Sequence, residues 1–214
     1  MAAPRRVLAL DTSGGELLVA LVDPDAGMLT GLAEPGARHQ ERVVEAIVEV
    51  VGPSGLADVD AVAVVSGPGS HTGLRVGLAT GEGIAFARHL QIYPLSSLAV
   101  AAQRARLESG AVTALVNAGR GRVYRQRFEI EGGGRHPLDE PSLALAGDLT
   151  GTDTLSGEPS VLALATATGA LAAPQVSGAE ALAAAVIQAV GEGASVAYHE
   201  IRGEYGELSM EQTP

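Results

Sequence analysis

The chain has 214 residues, 14 basic and 25 acidic side chains and a formal net charge of −11, so most of its surface repels nucleic acid and anionic membrane. It contains no cysteine, which excludes disulfides, thiolate nucleophiles and cysteine-held zinc. All the basic residues are arginine, so a phosphate-loop lysine and a Schiff-base lysine are excluded too.

Length allows one large domain or two small ones. No signal-like segment opens the chain and no apolar run approaches ~18 residues, so no membrane span is expected and the reading is cytoplasmic. Val7 to Leu10 reads as an apolar strand that ends at Asp11-Thr12-Ser13-Gly14-Gly15, and Leu17 to Val22 as its hairpin partner. The tip offers a carboxylate, two hydroxyls and free backbone, a combination that can wrap a phosphate or a magnesium ion. The same residue types also make ordinary turns. A third strand is expected near Met28 to Ala33.

Ala37 to Val51 reads as a helix. Val43, Ile47, Val50 and Val51 mark one face and Val44, Val48 and Val51 another, an arc wide enough for burial on two sides. Ala61 to Val65 is a short apolar run suited to a strand covered on both faces. After the Ser66-Gly67-Pro68-Gly69 turn, Ser70 or Thr72 can cap a helix that runs to Ala87. Gly73, Gly77 and Gly81 recur every fourth residue and lie on one face of that helix. Three interior glycines cost about 3 kcal/mol relative to alanine, so the bare face needs a closely packed neighbour. That neighbour is either the domain's own sheet or helix, or a second chain.

A short strand ending at Tyr93-Pro94 follows, then a helix over Leu98 to Leu107 capped by Ser96 or Ser97. Val112 to Asn117 and Arg122 to Ile130 read as a second hairpin. Arg120, Arg122, Arg125 and Arg127 make it the one local basic cluster. Gly132 to Pro141 reads as a loop, Val161 to Thr166 as a strand and Ala179 to Val190 as a helix. The tail after Gly191 reads as partly disordered, or as ordered only on a partner. The element order suggests an α/β protein of two lobes, the first over residues 1–100, a shorter one over 101–195, and a tail over 196–214.

The stretches VLALDTSG, HQERVVEAI, VVSGPGSHTGLRVGLATGEGIAFA and YPLSSLAVAA together resemble the TsaB (YeaZ) family, over roughly residues 7–131. The resemblance implies the two-lobed fold of actin, Hsp70 and sugar kinases (ASKHA), with a reduced second lobe. It also implies a non-catalytic scaffold without a cofactor. Such a scaffold pairs with a TsaD-type protein and a TsaE-type ATPase to make threonylcarbamoyladenosine (t6A) beside the tRNA anticodon. Homodimers are implied as well, with tRNA met only through the complex. The family's docking helices correspond to His39–Val51 and Thr72–Ala87. The implied interface residues are His39, Arg42, Val43, Ile47, Thr72, Gly73, Val76, Gly77, Thr80, Gly81 and Ile84. Asp11, Thr12, Ser13 and Gly14 correspond to a phosphate loop.

Where catalytic relatives hold a metal with two histidines four residues apart, this chain reads Tyr93-Pro94-Leu95-Ser96-Ser97-Leu98. Its five histidines include no pair at i, i+3 or i+4. The alternatives are an ATP-dependent kinase of the same fold, a peptidase-like protein, and a homodimeric binding module. The kinase would need a second phosphate loop, and the adjacent Ser70-His71 lack the third group of a triad.

Overall fold

The computed structural model describes residues 3–36, 38–149, 154–166 and 170–204. Two sheets carry the fold. The first contains β1 (Val7–Asp11), β2 (Glu16–Asp23), β3 (Gly27–Pro35), β4 (Ala61–Gly67) and β5 (Gln91–Ser96), in the order β3-β2-β1-β4-β5. The β1–β2 and β2–β3 pairs are antiparallel hairpins, whereas β4 and β5 add in parallel. The parallel additions need crossovers, and α1 (His39–Val51) and α2 (His71–Arg88) supply them. A 3₁₀ segment over Gly52–Asp58 joins α1 to β4.

Alternation along the strands separates two cores. Leu8, Leu10, Leu17, Val19, Val62 and Val64 face α1 and α2, where Val43, Ala46, Ile47, Val50 and Leu78 join them. On the other side, Val7, Ala9, Ala20, Ala61 and Ala63 meet α5 (Gly178–Gly191) through Ala181, Leu182, Ala185 and Val186. A capping box starts α5: the Ser177 hydroxyl accepts from the Glu180 N–H, and the Glu180 carboxylate accepts from the Ser177 N–H.

Short α3 (Ser97–Gln103) leads into the second sheet. That sheet contains β6 (Gly110–Gly119), β7 (Arg122–Glu131), β8 (Gly134–Pro137), β9 (Ser142–Leu145), β10 (Thr154–Gly157) and β11 (Leu171–Ala172). Its order is β11-β10-β6-β7-β8, with β9 also paired to β7. Helix α4 (Pro159–Thr166) follows β10.

Several expectations change. Val161 to Thr166 lies in helix α4, not in a strand. Pro159 suits a first helical turn, and the Glu158 carbonyl accepts from the Val161 and Leu162 N–H groups. The Gly132–Pro141 loop contains β8, which pairs with Phe128–Glu131. Helix α3 stops at Gln103 instead of Leu107. Ser70 and Ser96, of the alternatives at each site, are the caps. The start of the tail is ordered: Val196 bridges Ile92 and Ile201 is buried. The tail beyond Glu204 lies outside the described residues.

Candidate functional site: a closed hairpin tip and a helical face

Thr12 sits at the centre of the first candidate site. Its hydroxyl donates to the Gly73 carbonyl oxygen at 2.7 Å, and its own carbonyl oxygen accepts from His39 Nδ1 at 2.9 Å. The Ser13 carbonyl accepts from the Ser70 N–H at 2.8 Å. One turn therefore ties β1 to the starts of α1 and α2. Asp11 folds back on the same turn, where its Oδ1 accepts from the Ser13 amide at 2.8 Å and the Ser13 hydroxyl at 2.6 Å.

Glu158, at the entrance to α4, closes the tip from the other side. Both of its carboxylate oxygens lie 3.0 Å from the Gly15 nitrogen, which donates to them. A side chain on Gly14 would collide with this carboxylate. Arg104, buried below α3, pairs with Glu16 beside it. Burial pushes the Asp11 carboxyl up, against the donation from Ser13 and the charges of Arg104 and His39. It pushes Glu158 up as well, with Asp11 and Glu16 adding repulsion, while the Gly15 N–H and Arg104 oppose the shift. The space left among Asp11, Ser13, Gly14, Ser97, Arg104 and Glu158 is about 20 Å³, which is room for one water molecule.

Asp11, Thr12, Ser13 and Gly14 are thus brought together as the sequence suggested, but an internal carboxylate stands where an anion would meet the tip. Glu158 had no signal of its own, because its helix was misread. Among the described residues, no group of three His, Asp or Glu side chains could hold a metal. No helix among them is long and apolar enough to cross a membrane.

The second candidate site is the outer surface of α1 and α2. Here the expected interface splits. Gly73, Gly77 and Gly81 face inward, against the chain's own β1 turn and β4. A Cβ on Gly77 would lie 2.5 Å from Thr12 Oγ1, one on Gly73 would strike the Thr12 carbonyl, and one on Gly81 would strike Val64. Val43 and Ile47 are likewise core residues, 3% and 5% exposed. These five are therefore not available to a second chain. A period of four residues names a helix face but not its neighbour, and here the neighbour is internal.

The remaining residues lie at or near the surface. Thr72 is exposed, and His39, Val76, Thr80 and Ile84 are half-buried. Arg42 is held by three carboxylates: Glu34 at 2.8 Å, Glu45 at 3.1 Å and Glu49 at 2.8 Å. Donation to Glu34 and Glu49 raises its pKa further, so it stays charged. The apolar surface actually presented is Val44 and Val48, each 63% exposed on one stripe of α1, and Phe86, 60% exposed on α2. The Phe86 ring stands edge-on to Tyr198 at 5.5 Å. The sequence reading expected the Val44–Val48 face to be buried as a second side of α1, whereas in the chain alone both valines are exposed; Phe86 carried no mark.

Two sheets joined through α3, the first with parallel helical crossovers and a hairpin tip at its edge toward the second, define an ASKHA-type α/β protein. The model of the family described as TsaD: tRNA N6-adenosine threonylcarbamoyltransferase matches residues 33–201, well over half of the chain. The chain belongs to that family. Within it, the resemblance is to proteins named TsaB or YeaZ. The tRNA threonylcarbamoyladenosine biosynthesis protein TsaB of Haemophilus influenzae is 42% identical over 102 residues, covering 46% of this chain and 42% of that protein. The Escherichia coli TsaB is 33% identical over 134 residues, covering 60% of this chain and 57% of that one. The chain thus spans about half the length of these curated relatives. The solved YeaZ from Pseudomonas aeruginosa superposes with a TM-score of 0.79 at 25% identity, covering 94% of this chain and 99% of that one.

Proposed function

We propose that this chain is a non-catalytic scaffold subunit of the t6A machinery, one that pairs with a TsaD-type protein, together with a TsaE-type ATPase. The observation that carries the reading is the hairpin tip, filled by the chain's own Glu158 with about 20 Å³ left beside it. A phosphoryl-transfer enzyme of this fold needs that turn open to its nucleotide. The naming of the relatives as t6A biosynthesis proteins supports the pathway.

The docking surface is the outer face of α1 and α2, with Val44, Val48 and Phe86 as its apolar centre and Val76, Thr80 and Ile84 half-buried alongside. A second copy of the chain uses the same face when the TsaD-type protein is absent. The lobes run over 1–100 and 101–195, with α5 returning the second stretch to the first sheet and a tail over 196–214. The chain acts in the cytoplasm.

The test is co-purification with the same organism's TsaD-type protein, read by light scattering, then a threonylcarbamoyl-transfer assay with and without this chain. A stable pair, and modification only when both are present, is the expected result. Val44→Asp combined with Val48→Asp should abolish the pair and leave the thermal midpoint within a few degrees of wild type, since both side chains are exposed. An intact pair in that variant moves the interface elsewhere. ATP turnover by the purified chain, lost on Asp11→Ala, overturns the scaffold reading.

A further inference from the structure

The β6–β7 hairpin concentrates four arginines in a protein that is strongly acidic overall. Arg120, Arg122, Arg125 and Arg127 fall within eight consecutive residues, and residues 118–128 include no acidic side chain. The strands on either side of this end of β7 are uncharged as well. Strand β6 reads GAVTALVNAG and β9 reads SLAL. Their register sets Arg125 between Leu115 and Ser142, and Arg122 between Gly119 and Leu145. The cross-strand neighbours of Arg125 offer it no carboxylate.

Four arginines of the rest of the chain are paired with carboxylates. Arg6 pairs with Asp58, Arg38 with Glu41, Arg42 with three glutamates and Arg104 with Glu16. Among the described residues, Arg120, Arg125 and Arg127 form no ion pair. Arg125 Nε donates to the Ser142 hydroxyl at 3.2 Å, a neutral partner that aims the guanidinium without cancelling its charge. The nearby Asp139 carboxylate is taken by the Arg127 backbone N–H at 2.7 Å. Arg120 and Arg127 are exposed and Arg125 is half-buried. Arg125 and Arg127 share one face of β7, about 7 Å apart along it, while Arg120 stands at the exposed turn.

We propose that this hairpin is a phosphate-contacting surface for tRNA, with Arg120, Arg125 and Arg127 as its charged contacts. The proposal rests on the t6A reading, which supplies an RNA; the geometry supplies guanidinium groups suited to phosphate oxygens. The net charge of −11 makes the contact focal. RNA is repelled from most of the surface and held at this end of the second sheet, so that the patch orients the tRNA on the assembled complex.

The experiment compares the full chain with its Arg120→Gln, Arg125→Gln, Arg127→Gln triple variant. Affinity for a tRNA transcript is measured across salt concentration, in the complex with the TsaD-type protein. Each lost phosphate contact lowers the log–log salt slope by roughly 0.7–0.9, so three should shrink the loss of affinity between about 50 and 200 mM salt by roughly 20- to 40-fold. The variant should keep its circular dichroism and its pairing with the TsaD-type protein. An unchanged slope in a complex that still forms overturns the hairpin contact and leaves the scaffold reading standing. If no complex forms, the scaffold reading fails, and the same titration on the chain alone decides the RNA contact: a weaker slope in the variant supports it, and equal slopes or no binding overturn it. A polyglutamate peptide that competes as well as RNA overturns it in favour of an acidic protein partner.

Discussion

The two faces of the first sheet solve one packing problem in different ways. Toward α2 the strands are bulky, with Leu8, Leu10, Val62 and Val64 pointing out, and the helix gives way by carrying glycine at 73, 77 and 81. Toward α5 the strands carry mainly alanine, with Ala9, Ala20, Ala61 and Ala63 beside Val7 and Leu18, and the helix answers with Ala181 and Ala185 beside Leu182 and Val186. Alanine is the best helix former, whereas each glycine costs about 1 kcal/mol. The glycine face carries that cost, and it brings α2 close enough for the Thr12 hydroxyl to bond the Gly73 carbonyl. Helix α2 is thereby fixed to the hairpin tip as well as to the sheet, and its outer surface is held rigid. Helix α5 meets the sheet through apolar burial, and its polar ties, from Gln188 to Gln103 and Arg135, run to α3 and β8 instead.

The largest effect should come from filling the glycine face. Gly73→Ala drives a methyl into the Thr12 carbonyl, a backbone atom that cannot swing away, and Gly81→Ala meets buried, β-branched Val64. Each should lower unfolding stability by about 1–3 kcal/mol, the usual range for overpacking, despite the better helix propensity. Gly77→Leu should fail to fold stably, and not merely lose its partner. Urea titration followed by circular dichroism measures all three. A stable Gly73→Ala protein would mean that α2 lies farther from β1 than the structure has it. Next in size is Ser177→Ala at the start of α5, which removes the capping box and should cost about 1 kcal/mol. The smallest of this series has the opposite sign. Gly83 lies on the same helix as the buried glycines but meets nothing within 4 Å. Gly83→Ala should therefore stabilise by up to about 1 kcal/mol. Destabilisation there would show that the two sides of α2 do not differ as described.

The first sheet was legible because β1, β2 and β4 are Val-, Leu- or Ala-rich runs closed by Asp or Gly, and α1 carries a clear apolar arc. The second lobe gave weaker signals. Strands β10 and β11 have four and two residues, too short for any alternation to show. The run VLALAT fits a buried strand or a buried helix equally well by periodicity. Only Pro159 just before it favours the helix, and with that helix went Glu158. At the site, residue spacing correctly required a close neighbour for the glycine face. It could not say that this neighbour was Thr12 and Val64, which come from other elements. The same limit hid the exposed face: Val43 and Val44 are adjacent and chemically identical, and only the docked sheet decides that the first is core and the second is surface.

The hairpin tip and the α5 cap make opposite demands on protons, and this allows the tip to be tested alone. Glu180 is held below the ordinary carboxylate range by donation from the Ser177 hydroxyl and N–H. Its contribution is present above that range and is lost as pH falls through the lowered value. Glu158 and Asp11 are raised by burial. Between the ordinary value near 4 and their raised values, the folded chain binds more protons than the unfolded one. Their contribution is therefore full below the ordinary value and is lost as pH rises through the raised one. Glu158→Gln removes one of the raised groups but keeps an amide oxygen to accept from the Gly15 N–H. Plotted from about pH 4 to 7, the thermal midpoint of that variant should fall less with rising pH than that of wild type, and its acid limb, governed by Glu180, should not move. Parallel curves would mean that the Glu158 carboxylate is solvated in the folded chain. The tip would then be open to an anion, and the argument against a nucleotide at this turn would lose its physical basis.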